Sequence, residues 1–151
     1  MKIYVLLCAA LSLACTNANK SSDHSSSINT STETSNKKQH WEGAFTNGMK
    51  KTYISFDVSA DGKQLQNLTF KGYWRCDGKL TQDIMGPQKN FSIVGNKVDG
   101  VIVEPEGGGA TATRYDLHAV FNGNKAGGTF RMNINGLGCD TYKLNWTAEK
   151  K

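Results

Sequence analysis

Apolar and polar residues alternate in short segments through most of the chain beyond residue 50. Ile54, Phe56 and Val58 alternate with polar neighbours, which is the period-2 pattern of a strand with one buried face. The same alternation returns in the segments 68–76, 91–93, 98–103, 115–121, 130–134 and 142–146. In the last of these, Tyr142, Leu144 and Trp146 share the apolar face, so we expect them to pack in the core.

Turn residues separate these segments. Asp61-Gly62, Asp77-Gly78, Gly95-Asn96 and Asn122-Gly123 are typical of tight turns between antiparallel strands. No segment combines the helical period with a cap at either end. The sequence therefore predicts an all-β domain over residues 41–148, a single antiparallel β-sandwich or barrel of about eight strands.

The first residues have the parts of a secretory signal. Lys2 precedes an apolar run over residues 3–11, and Ser12, Leu13 and the small residue Ala14 follow. The run is too short to cross a bilayer, which takes about 20 apolar residues. We therefore predict that residues 1–14 are a signal peptide and that the protein is exported.

A cysteine directly follows this segment. The sequence Ser12-Leu13-Ala14-Cys15 resembles the lipobox of bacterial lipoproteins, with Ser12 where that motif usually has Leu. The resemblance implies that Cys15 becomes the N-terminus, carries lipid such as palmitate, and anchors the protein to the outer membrane of the cell envelope, facing the periplasm or the surface. The alternative is an ordinary signal peptide whose cleavage leaves a soluble secreted protein.

Residues 15–40 have the composition of a tether. Residues 16–40 contain seven Ser, four Thr and four Asn, no aromatic residue, and Ile28 as the one large aliphatic residue. Such a segment buries too little apolar surface to offset the entropy of ordering it, so we predict that it is disordered. A flexible coil of about 25 residues would hold the domain roughly 25–30 Å from the lipid. This composition favours the anchored alternative over the secreted one.

The predicted domain retains two cysteines, Cys76 and Cys139. Outside the cytoplasm an even number of cysteines favours a disulfide. This disulfide would close a loop of about 60 residues and stabilise the fold by about 3–4 kcal/mol. A catalytic or metal-binding cysteine is the alternative, but the chain has no CxxC pair and no cysteine–histidine spacing to support it.

A series of motifs marks the second half of the domain. Residues 121–130 read FNGNKAGGTF, and Cys139 and then Trp146-Thr147-Ala148 follow. This order resembles a family of small exported bacterial β-sandwich domains, in which a Gly-rich hairpin leads to a Gly-Thr-Phe strand, a cysteine and a closing strand. Members also have an earlier cysteine, as Cys76 is here. The resemblance implies the fold and no particular activity, because members have none assigned.

The charge of the chain is mildly basic and widely spread. The net charge is +5, and the basic residues are scattered rather than clustered with aromatic ones, so we expect no nucleic-acid partner. His118 and Asp116 lie on one face of a strand and are conceivable as a general-base pair, but a surface histidine beside a surface carboxylate is far more common. No serine stands in a nucleophile motif. We expect no enzymatic activity, no metal and no cofactor.

Adjacent aromatic residues give the first candidate for ligand binding. Tyr73 and Trp74 are neighbours in a predicted strand, so one ring points outward and can stack on a sugar or a partner protein, with Arg75 as a hydrogen-bond donor. In the alternative, Trp74 packs in the core beside Cys76, and Tyr73 and Arg75 remain outside.

The longest irregular segment gives the second candidate. Residues 104–113 include Gly107, Gly108 and Gly109, and loops on a rigid β scaffold often bind partners. We therefore expect a lipid-anchored module that binds a glycan or an envelope protein. The alternative is a hydrolase inhibitor similar in outline to the lysozyme-inhibitor lipoproteins, with this loop as the plug, although their Ser-Gly loop motif is absent. A hydrolase is a distant third.

Overall fold

The computed structural model describes residues 37–151. These residues form strands and one short 3₁₀ helix, Asn135–Leu137, and they contain no α-helix. The strands are β1 (Gln39–Phe45), β2 (Tyr53–Val58), β3 (Gln64–Cys76), β4 (Lys79–Met85), β5 (Phe91–Ser92), β6 (Lys97–Glu104), β7 (Thr113–Asn122), β8 (Lys125–Ile134), β9 (Cys139–Asp140) and β10 (Leu144–Lys150). Within the same residues no helix is long and apolar enough to span a membrane.

Several predictions concern the N-terminal part of the chain. The predicted signal peptide, residues 1–14, the predicted lipidation site Cys15 and residues 16–36 of the predicted tether lie outside the described residues. Residues 39 and 40, which the prediction places at the end of the tether, already belong to β1.

Six strands close an antiparallel barrel. They pair in the order β10, β1, β2, β3, β9 and β8, and β8 pairs again with β10. β7 and then β6 extend the sheet from β8, while β4 and β5 pair with β3. The predicted all-β class is confirmed in its barrel form, with ten strands instead of about eight. The predicted strands omit β1, although Trp41 and Phe45 on its inner face are buried.

Aromatic side chains fill the core. Trp146, Phe56, Phe70 and Phe130 are among the largest fully buried side chains of the domain. The rings of Phe70 and Phe130 stack with their centroids 5.3 Å apart. Rings on strands from different parts of the chain therefore hold the barrel together by burying large apolar surfaces.

β3 has two successive neighbours along one edge. β4 pairs with residues 70–76 of β3 on the other edge. On the first edge, β2 pairs as far as Lys71, and β9 pairs at Arg75. Residues 72–74 have no described strand partner on this edge, so the sheet divides there between β2 and β9. We call this division the fork.

β8 has the same arrangement as β3. β10 pairs with β8 as far as Phe130, and β9 pairs with it at Asn133 and Ile134. Both lie on the edge opposite β7, which pairs with residues 125–133. Residues 141–143, which connect β9 to β10, therefore border the fork.

A disulfide fixes β9, the short strand that pairs with both β3 and β8. Cys76 at the end of β3 is bonded to Cys139 at the start of β9, 63 residues later in the chain. The predicted disulfide is thus confirmed. It joins the two strands directly beside the fork, so the covalent link and the short β9 ladder support each other.

We expect removal of this disulfide to weaken the whole domain. Reduction, or the double substitution Cys76→Ser and Cys139→Ser, should lower the free energy of unfolding by about 3–4 kcal/mol, because the unfolded chain regains the entropy of a long closed loop. Urea unfolding with and without reductant measures this difference. An unchanged midpoint would contradict the proposed contribution.

Candidate functional site

A cleft of about 200 Å³ opens at the fork. Its walls come from the β1–β2 loop, the unpaired stretch of β3, the start of β4 and the connection from β9 to β10. Its lining includes the side chains of Met49, Tyr73, Arg75, Leu80 and Tyr142. We call this depression the fork cleft.

Tyr142 has an unusual backbone conformation at the rim of the fork cleft. Its φ is 57°, in the left-handed region that costs an L-residue about 1–2 kcal/mol. Its side chain is 61% exposed. The prediction that Tyr142 packs in the core with Leu144 and Trp146 is therefore wrong, because this backbone conformation ends the strand alternation before β10 begins.

Hydrogen bonds hold Tyr142 in this conformation. The buried Thr141 donates its backbone N–H to the carbonyl of Met132 and accepts the Met132 N–H on its hydroxyl, each at 2.9 Å. The Tyr142 N–H donates to the Asp140 carboxylate at 2.7 Å. Residues 140–142 are thus fixed to β8 on one side and capped by a carboxylate on the other.

Asp140 is itself held in place by Arg131. The Arg131 guanidinium donates two hydrogen bonds to the carboxylate, at 3.0 and 2.5 Å. Burial works to raise the pKa of Asp140, but the bonds from Arg131 and from the Tyr142 N–H lower that pKa by more. Asp140 therefore stays ionised and keeps its two roles, pairing with Arg131 and capping the turn.

Asn47 fastens the other side of the rim. Its side-chain amide donates to the carbonyl of Lys143 at 3.1 Å and accepts the N–H of Asn145 at 2.6 Å. The β1–β2 loop is thereby joined to the start of β10. The amide of Asn47 is occupied by these contacts, so its role is to position the rim.

Apolar and cationic groups surround the exposed tyrosine. Leu80 on β4 is 51% exposed, and Met49 is exposed to a similar extent. Among the described residues the Arg75 side chain makes one hydrogen bond, to the carbonyl of Gly78 at 3.3 Å, and forms no ion pair. The fork cleft therefore offers aromatic and aliphatic contact together with a guanidinium that can donate to a ligand.

The structure separates the three residues of the first candidate group. Trp74 is buried in the core, while Tyr73 is half-buried and Arg75 is exposed, and both line the fork cleft. The alternative in which Trp74 points inward is thus confirmed. Leu80, Met49 and Tyr142 belong to the same site but are absent from the sequence-based candidates.

The second candidate group lies elsewhere. Gly107, Gly108 and Gly109 belong to the loop between β6 and β7 and do not line the fork cleft. The loop is ordered by its own hydrogen bonds, such as that from the Gly108 N–H to the carbonyl of Pro105 at 2.9 Å. A binding role for these glycines stays a prediction.

The conceivable general-base pair does not form. The Asp116 carboxylate accepts three hydrogen bonds from Arg114, at 2.7 to 3.1 Å. His118 instead places Nδ1 3.1 Å from Asp99. Asp116 and His118 line the same shallow depression, but each is paired with a different residue.

Another group of titratable residues joins β1, β2 and β3 outside the fork cleft. The Asp57 carboxylate meets Lys38 at 2.7 Å, His40 at 2.8 Å and Asn67 at 2.8 Å. Burial works to raise the pKa of Asp57, but these three partners lower it to about 2. The hydrogen bond to Asp57 raises the pKa of His40. Asn67 has a φ of 51° at an irregularity in the β2–β3 ladder, which its side-chain contact supports.

Comparisons with known proteins add no further constraint on the site. The chain matches no protein-family model, no curated protein and no solved structure. The all-β domain implied by the resemblance to small exported bacterial domains is present, but the family itself is not shown.

Substitutions of Tyr142 test its strained conformation. Tyr142→Gly and Tyr142→Ala remove the same exposed side chain, but only glycine adopts a positive φ without steric cost. We expect the glycine variant to be more stable than the alanine variant by about 1 kcal/mol. Urea unfolding of the two variants measures the difference. An alanine variant as stable as the glycine variant would show that residue 142 is not in the left-handed region.

The Asp57 cluster predicts a change of stability with pH. The folded-state pKa of Asp57 lies near 2, below its ordinary value of 3.8. The ionised carboxylate therefore stabilises the fold fully above pH 3.8, and this stabilisation is lost as the pH falls toward 2. Asp57→Asn should cost about 1–2 kcal/mol at pH 5, and the difference from wild type should shrink in acid. Asp77→Asn, in the exposed β3–β4 turn, is the control. Equal acid sensitivity in all three proteins would refute this contribution.

Proposed function

We propose that this protein is a lipid-anchored binding module of a bacterial cell envelope and that it binds a glycan in the fork cleft. The observation that carries this proposal is Tyr142, an exposed aromatic residue held at the cleft rim in a strained conformation. Several hydrogen bonds maintain that conformation. Backbone strain maintained around an exposed aromatic ring favours a binding role.

The chemistry of the cleft favours a sugar ring as the ligand. A pyranose has an apolar face that packs on an aromatic ring, and hydroxyl groups at its edge that need hydrogen-bond partners. Tyr142 and Tyr73 supply rings with a hydroxyl group, and Leu80 adds apolar contact. Arg75 supplies donors at the same cleft. A small-ligand site usually contains a few polar groups among mostly apolar ones.

The location outside the cytoplasm has two kinds of support. The Cys76–Cys139 disulfide is typical of a domain in an oxidising compartment. The signal-like residues 1–14 and the lipobox-like sequence ending at Cys15 support lipid anchoring. A domain that binds glycans on a tether fits the bacterial envelope, which is rich in polysaccharide.

We expect the full chain to bind a subset of glycans on an array, and Tyr142→Ala to weaken that binding about 5- to 30-fold, since loss of one stacking contact costs about 1–2 kcal/mol. Tyr53→Ala is the matched control, because Tyr53 is also exposed but does not line the fork cleft. Binding that Tyr142→Ala leaves intact would move the site elsewhere. If no glycan on the array binds and the protein instead captures an envelope protein, the ligand is a protein and not a glycan.

Lipid anchoring has its own test. Cells that express the full chain and are fed labelled palmitate should incorporate the label into the protein, and Cys15→Ser should abolish incorporation. Cys8→Ser is the control, since Cys8 lies inside the predicted signal peptide. Unlabelled wild-type protein recovered from the medium would indicate an ordinary secreted protein.

A further inference from the structure

A second depression lies on the outer face of β7 and β8, next to the rim of the fork cleft. It has a volume of about 530 Å³. We call it the β7–β8 depression and define it by the residues Arg114, Asp116, His118, Arg131, Asn133 and Lys143. Lys143 directly follows Tyr142 in the chain. Tyr142 lines the fork cleft, whereas Lys143 lines the β7–β8 depression.

Asn133 is the first sign of a ligand in this depression. It is only 6% exposed, although its position in β8 is on the outward face. Its side-chain oxygen is buried and has no hydrogen-bond partner within residues 37–151. A buried acceptor without a donor is destabilising. A flip of the Asn133 amide would turn this oxygen toward the depression that the residue lines, where a hydroxyl group of a ligand would supply the donor.

The cationic groups around Asn133 give the second sign. Arg114 and Arg131 each use two nitrogens on a carboxylate and keep the third free of described side-chain contacts. The hydrogen bond that Arg114 donates to Asp116 raises the pKa of Arg114, although the nearby positive charge of Arg131 works to lower it. Lys143 is exposed and forms no ion pair with the described residues. The carboxylates here are taken, whereas an ammonium and parts of two guanidinium groups remain available to an anion.

We infer that the β7–β8 depression binds the acidic unit of the glycan whose neighbouring ring lies in the fork cleft. A hydroxyl of that unit donates to the Asn133 side-chain oxygen, and its carboxylate or phosphate lies beside Lys143 and the guanidinium groups. This inference rests on the proposed function, because it requires the glycan bound in the fork cleft to extend into the β7–β8 depression. The ligand class is an acidic oligosaccharide, carrying a uronic acid or a sugar phosphate.

Calorimetry on the detergent-solubilised full chain tests the inference with matched ligands. Chitotetraose is neutral, and a hyaluronan tetrasaccharide alternates glucuronate with the same N-acetylglucosamine. At low salt we expect the acidic tetrasaccharide to bind about tenfold tighter, the equivalent of one good charge contact. Added salt should reduce that preference. Glucuronate and glucose 6-phosphate, tested alone, distinguish a carboxylate from a phosphate.

Variants separate this inference from the proposed function. Lys143→Gln should abolish the preference for the acidic ligand and leave chitotetraose binding unchanged, and Asn133→Leu should weaken binding of the acidic ligand without lowering the unfolding midpoint. Lys125→Gln, at an exposed lysine in the β7–β8 hairpin, is the control. Equal binding of both tetrasaccharides, unaffected by Lys143→Gln, would overturn the inference and leave the fork cleft as a neutral-glycan site. Binding of the acidic tetrasaccharide that is lost in Lys143→Gln but kept in Tyr142→Ala would support the depression and refute the fork cleft.

Discussion

Two residues, Cys139 and Asp140, join β3 to β8, and the geometry of the candidate site depends on that short bridge. β9 pairs with β3 at one residue and with β8 at two, so its ladder alone is weak. The disulfide to Cys76 makes the connection covalent. Because β9 occupies the same edges as β2 and β10, the sheet must divide where one neighbour gives way to the other. The fork cleft is the result of that division.

The strain at Tyr142 follows from the same bridge. The chain has three residues, 141–143, in which to pass from β9 to β10, and Thr141 is already fixed to β8 by two hydrogen bonds with the backbone of Met132, one of them through its hydroxyl. A left-handed residue makes the necessary turn and directs the tyrosine away from the core. A glycine would make this turn at lower cost. A tyrosine at this position therefore favours a function for the exposed ring.

The sequence predicts the parts of the fold that follow from alternation and from cysteine number. Strand β2, the inward position of Trp74 and the Cys76–Cys139 pair are of this kind. The position of the fork depends on where the β2 ladder ends along β3 and where the β10 ladder ends along β8. No local sequence pattern predicts where these ladders end. Tyr142 continues the alternation of Trp146, so a period-2 pattern places it inside. One local signal existed: Asp140 precedes it by two residues, the spacing at which an Asp side chain accepts a backbone N–H and turns the chain.

A crystal structure of the full chain with a bound oligosaccharide tests the central claim most directly. The account predicts a sugar ring packed on Tyr142 between the β1–β2 loop and β4, with residue 142 at a positive φ near 57° and Arg75 within hydrogen-bond distance of the sugar. A Tyr142 packed inside the barrel at negative φ, or a sugar bound to a different face, would contradict it.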